Sequence, residues 1–149
     1  MPMLKILIPV DGSERSLDAV RHVLVLTAKG LRARVVVANV QSPANLYELV
    51  VAHDPKVLQQ VSEAAGRDLM KPAVDLLQAA GLPVEQDVAT GDPAHTLMDM
   101  LERHACEAVV LSAHGASGQR NHLGSVAQAV LQTAPVPVTV VRPLERDGD

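Results

Sequence analysis

The chain of 149 residues contains no tryptophan, no phenylalanine and a single tyrosine, Tyr47. Its core must therefore be aliphatic, and the aromatic platforms on which single-stranded nucleic acids stack are excluded. One cysteine, Cys106, has no second cysteine to pair with, so no internal disulfide framework is expected. No apolar run approaches the roughly 18 residues of a membrane-spanning helix. Positive charge is also scarce. The 13 Lys and Arg stand against 17 Asp and Glu, a formal net charge of −4, which predicts no pull toward nucleic acid or an anionic membrane. The start of the chain carries no signal-peptide pattern, and together these features lead us to expect a cytoplasmic protein.

What is present is a globular composition, with 48% hydrophobic and 20% charged residues. A single domain of about 150 residues can bury roughly 68–70% of its unfolded surface and needs no metal or disulfide to fold. Leu4 to Val10 is a nearly continuous apolar run, the pattern of a strand covered on both faces. Asp11-Gly12-Ser13 breaks it, with Ser13 placed to cap a helix over Glu14–Ala28. That helix carries an inner stripe of Leu17, Val20, Val23, Leu24 and Thr27 and is ended by Gly30. Ala33 to Val40 is a second buried strand. Gln41 to Asp54 is irregular and holds Pro43 and Tyr47.

Pro55 to Ala80 reads as a helix with Leu58, Val61, Ala65, Leu69, Leu76 and Leu77 inward, kinked or interrupted at Pro72. Val84 to Ala89 alternates apolar and polar, as a half-exposed edge strand does. Gly91-Asp92-Pro93 then starts a helix, with Asp92 as cap and Leu97, Met98, Leu101 and Ala105 inward. Glu107 to Leu111 is a short strand. Ser112 to Leu123 is a polar loop, and Gly124-Ser125 opens a helix, with Ser125 as its cap and Val126, Val130 and Leu131 inward. Val136 to Val141 is the last strand, and Glu145 to Asp149 is expected to fray.

Strict β-α alternation implies right-handed crossovers, a parallel sheet and helices on both faces. Sheets of this kind bind ligands at the carboxyl ends of their strands, where the strand order reverses. With the order 3-2-1-4-5, that switch lies between the first and fourth strands. Pro9, Val10 and Asp11 would then meet Leu111 to Gly115 and Gly124-Ser125 at one crevice.

The chain lacks G-x-x-x-x-G-K-[S/T], and with it the lysine and magnesium-binding hydroxyl of a P-loop ATPase. No nucleophile–base–orienter set stands out, so enzyme activity is not expected beyond slow ATP hydrolysis. His104 and Cys106 lie two apart, but no second pair at zinc spacing accompanies them, and no metal site is expected. His114, Arg120 and His122 bracket the polar loop, where they either offset phosphate charge or are simply solvated.

Four segments together resemble a universal stress protein over essentially the whole chain. They are Lys5 to Glu14; Gly91-Asp92-Pro93-Ala94; His114-Gly115 through Gly124-Ser125-Val126-Ala127; and Pro135 to Pro143. The resemblance implies a domain over residues 1–143 with a short tail. Its fold is a three-layer α/β sandwich with a five-stranded parallel sheet of order 3-2-1-4-5, like the adenine nucleotide alpha hydrolases. Nucleotide-binding members carry G-x-x-G, nine further residues, then G-[S/T]. Here Ser112 stands at the first glycine position, and eight residues, Ala116 to Leu123, separate Gly115 from Gly124.

By this resemblance, ATP, possible with Mg, would be held between named positions. Asp11 would lie toward adenine or ribose, with Pro9 and Val10 lining the pocket and the Val40 backbone at adenine. Ser112, His114 and Gly115 would approach ribose and phosphates, and Gly124, Ser125 and Val126 would hold the phosphates. The family also pairs its last strand across a two-fold axis, implying a homodimer through Val136–Val141. Two readings stand: a dimeric stress-response switch governed by ATP, and a dimeric scaffold whose glycine loop is degenerate. Receiver and flavodoxin-like readings fare worse. The places where they need an acidic cluster, Asp, Lys or flavin-stacking aromatics offer only Asp11, Thr90, Arg142 and Tyr47.

Overall fold

The computed structural model describes residues 2–42, 54–114 and 123–143. Tyr47, Gly115, Arg120, His122 and the tail from residue 144 lie outside the described residues. The elements run β1 (Leu4–Pro9), a 3₁₀ turn (Glu14–Ser16), α1 (Leu17–Ala28), β2 (Ala33–Gln41), α2 (Pro55–Ala79) and β3 (Val84–Thr90). They continue with α3 (Pro93–Arg103), β4 (Ala108–Ser112), α4 (Ser125–Thr133) and β5 (Val138–Val141). All strand pairs are parallel and the order is β3-β2-β1-β4-β5. The strand order expected from sequence is the observed one, and it reverses between β1 and β4.

The pleat divides the core in two. Ile6 and Ile8 of β1, with Val35 and Val37 of β2, face Val20 and Val23 of α1 and Met70, Ala73 and Leu77 of α2. On the other side, Leu7, Val36 and Ala38 meet Leu97, Met100 and Leu101 of α3 and Ala127 and Val130 of α4. Every large side chain in both layers is aliphatic. Each such burial stabilises the fold by about 1.5–3 kcal/mol relative to exposure.

α2 departs from the sequence reading. It runs without interruption past Pro72, which lies on its exposed face, where the carbonyl freed by the ring can bond to water. Its inner stripe is also rotated. Ser62, Gly66, Met70, Ala73, Val74 and Leu77 are buried, while Leu69 and Leu76 are 38% and 36% exposed. Close approach explains the rotation: a Cβ on Gly66 would stand 2.5 Å from Val88 Cγ1 and 3.1 Å from Asn39 Oδ1. The helix docks through Ser62 and Gly66 where it meets β2 and β3 most closely and through Met70, Val74 and Leu77 further on, and the Ser62 and Thr90 hydroxyls meet at 3.1 Å.

Three smaller corrections follow the same logic of geometry over composition. In α3, Met98 packs partly buried against the core as expected, Met100 is fully buried beside it, and Ala105 turns away with φ 53, closing the helix in the left-handed region. In α4, Ala127 and Val130 face the core and Leu131 is 43% exposed. The last strand begins at Val138, and Val136 precedes it.

The β3 edge carries charge. His104 places Nδ1 3.2 Å from Glu85 Oε2 and Nε2 2.8 Å from Asp87 Oδ2, and Arg103 also pairs with Asp87. Lys5 Nζ lies 3.8 Å from Glu85. Charged side chains on an edge strand discourage pairing with another chain. His104 is thus turned to carboxylates, while Cys106 is buried at 5% exposure, and that burial pushes its thiol pKa up.

Candidate functional site

The site begins where β1 runs out. The Val10 N–H donates to the Ala38 carbonyl at 2.8 Å, which extends the strand by one residue. Asn39 Nδ2 donates to the Val10 carbonyl at 2.9 Å. Asp11 Oδ1 then accepts from both the N–H and the hydroxyl of Ser13, at 2.9 and 2.5 Å, an Asx turn closed by Gly12 at φ +87. Ser13 Oγ in turn accepts from the Ser16 N–H at 3.2 Å, so Ser13 caps the helix start as its residue type predicts.

The opposite wall comes from β4 and α4. The Ser112 hydroxyl accepts the backbone N–H of Ala19 at 3.2 Å. The Ala113 carbonyl accepts the Gly124 N–H at 2.8 Å, which draws the start of α4 against the end of β4. Ser125 is not the cap. Gly124, with φ −62 and ψ 155, holds the extended capping conformation without a capping side chain, and Ser125 is the first helical residue. The first turn of α4 therefore presents its N–H groups and positive dipole end without a side-chain acceptor from the cap.

Between these walls lies a crevice of about 680 Å³, within the size range of small-molecule sites. Pro9, Val10, Asp11, Val40, Ser112, His114, Gly124, Ser125 and Val126 all line it. Gly115, the remaining expected member, lies outside the described residues. Sequence reasoning missed Ser16, Ala38, Pro93, Leu97 and Ala127, which also line it. Pro93 was legible as a helix start, but nothing local signals that β3 would deliver α3 to the same opening.

His114 is the most unusual group in the crevice. It is 3% exposed, and among the described residues neither Nδ1 nor Nε2 has a hydrogen-bond partner. A buried polar atom without a partner costs about 1–3 kcal/mol. This imidazole lines a crevice beside a helix N-terminus that has no capping side chain, which is the furniture of a site for an anionic, hydrogen-bonding ligand. Among the described residues no group of three or more His, Cys, Asp or Glu is arranged to hold a metal ion.

Residues 3–142 match the family model described as the universal stress protein family, and the chain belongs to that family. Universal stress protein MJ0531 of Methanocaldococcus jannaschii is 28% identical over 139 residues, covering 93% of this chain and 81% of that one. The solved structure of hypothetical protein MJ0577 superposes with a TM-score of 0.77 at 24% identity, over 95% of this chain and 97% of that one. An Arabidopsis thaliana family member, At3g01520, was solved with AMP bound. It matches at TM-score 0.70 and 18% identity, over 98% and 95% of the two chains. Two further universal stress proteins, solved with cyclic AMP and with dAMP, match at TM-scores of 0.64 and 0.62 with 22% and 17% identity. Each match covers 95% of this chain and 98% of the other.

Proposed function

We propose that this chain binds an adenine nucleotide in the β1–β4 crevice and acts as a dimeric regulatory protein of the stress response. Nucleotide occupancy biases its contacts with partner proteins, and it holds the nucleotide rather than turning it over. The observation that carries the reading is His114, buried beside the start of α4 with no partner for either ring nitrogen among the described residues. Phosphate oxygens are acceptors, and both the imidazole N–H and the free N–H groups of the α4 first turn are donors. Pro9, Val10 and Val40 supply an apolar wall for the base, and Asp11 an acceptor for ribose hydroxyls. The structures solved with AMP, cyclic AMP and dAMP support the ligand class. ATP with Mg is the larger occupant in the same class, its phosphates directed at Gly124 and Ser125.

Thermal unfolding with and without millimolar AMP, cyclic AMP or Mg-ATP tests this. A ligand at 100 times its dissociation constant adds about 2.7 kcal/mol, and Asp11→Ala or Gly124→Val removes the shift. One observation favours a second reading. Ser112, at the motif's first glycine position, has its hydroxyl engaged by Ala19, as a scaffold without a nucleotide would allow. If no adenine nucleotide moves the midpoint, that reading replaces the first.

A further inference from the structure

The Asp11 turn is held from behind by two residues that do not line the crevice. A Cβ on Gly12 would run into Leu69 Cδ2, so the Leu69 side chain of α2 rests directly on the Gly12 backbone. Asn39, 2% exposed, ties the Val10 carbonyl to β2 through its amide, and its Oδ1 accepts from Gln41 Nε2 at 2.6 Å. Three residues along α2 from Leu69, Gly66 lies so close to that same Asn39 oxygen that a Cβ there would stand 3.1 Å from it. One face of α2 thus bears on both ends of the Val10-Asp11-Gly12 segment.

This contact also accounts for Leu69 being where it is. The residue is displaced from the core-facing stripe and 38% exposed, yet one flank of its side chain covers a left-handed glycine. Glycine at φ > 0 adds little stiffness of its own. Packing from Leu69 and the Asn39 hydrogen bond add restraint to that of the Asx turn itself. An acceptor fixed in advance loses less entropy when a ligand arrives.

We infer that Leu69 and Asn39 are positioning residues, which hold the Asp11 turn in its ligand-ready geometry from the far side of the sheet. The inference rests on the nucleotide reading for its consequence, though the restraint itself can be measured without a ligand. Two measurements on Leu69→Ala separate these matters. The first is hydrogen exchange at the Ser13 amide, which donates to Asp11 Oδ1. The second is the affinity for AMP by titration calorimetry.

Leu69→Ala is expected to speed exchange at Ser13 while core amides such as Val36 and Val109 keep their rates. AMP binding should weaken by about three- to tenfold, the usual coupling between neighbouring groups. Leu69→Met, which refills the space over Gly12, should restore both. Asn39→Ala serves as the second variant, with the same pattern expected. Unchanged Ser13 exchange, or a rise shared equally by core amides, overturns the inference. If the wild-type protein binds no AMP, the nucleotide reading fails, while the Ser13 exchange rates still decide whether Leu69 restrains the turn.

Discussion

The hydroxyl of Ser112, at the end of β4, accepts the backbone N–H of Ala19 in the first turn of α1 at 3.2 Å. A helix leaves its first N–H groups without intrahelical partners, and here one is satisfied by a strand 93 residues further along the chain. The serine that departs from the glycine motif thus satisfies the start of a helix distant in sequence. It welds α1 to the wall of the crevice.

Ser112→Ala is therefore expected to lower stability by about 1 kcal/mol, the usual cost of losing a cap. AMP affinity should change little, since the hydroxyl is directed at α1. Chemical denaturation and calorimetric titration of the same variant would show the split.

His114 predicts a trade between stability and binding. Its ring nitrogens have no partner among the described residues, so His114→Leu should raise the stability of the nucleotide-free form by about 1 kcal/mol. The same change should abolish protection by nucleotide. A midpoint that rises without ligand and no longer responds to AMP is the expected signature.

The β5 edge carries the proposed dimer. The Pro137 carbonyl accepts from the Val109 N–H and the Val141 carbonyl from the Ala113 N–H, so odd-numbered residues face β4. In a regular ladder Val138 and Val140 then turn their N–H groups outward. Val140→Pro removes one outward donor while sparing the β4 pairing, and proline is tolerated on an edge of this kind. Sedimentation analysis should find the wild type dimeric and the variant monomeric.

Burial holds the Cys106 thiol above its ordinary pKa, so the folded protein keeps a proton that the unfolded chain releases in alkali. This contribution to stability is complete below the unfolded pKa and is lost as pH climbs through the folded one. Iodoacetamide, which needs the thiolate, should label Cys106 slowly near neutral pH and quickly once the chain is denatured.

The parallel sheet was legible because β-α alternation permits few topologies, and the strand order implied by the family resemblance brings Asp11 to Ser112, Gly124 and Ser125. Asp92 and Ser13 were legible as caps because their side chains act on backbone two or three residues away. The α2 face was not. Leu77 is buried as expected, but Leu69 and Leu76 turn outward, and Ser62, Gly66, Met70 and Val74 take the inner face beside it. Steric fit to Val88 and Asn39, residues on other strands, made that choice. Ser125 was misread for a related reason. Serine is a common cap, but the Gly124–Ala113 hydrogen bond fixes the helix start one residue earlier.

The wholly aliphatic packing on both sides of the sheet has a practical corollary. With neither tryptophan nor phenylalanine, and one tyrosine in the sequence, the folded interior is nearly silent in the near ultraviolet. A single tryptophan introduced at a chosen site would be the molecule's only bright emitter, reporting on its own surroundings against a dark background.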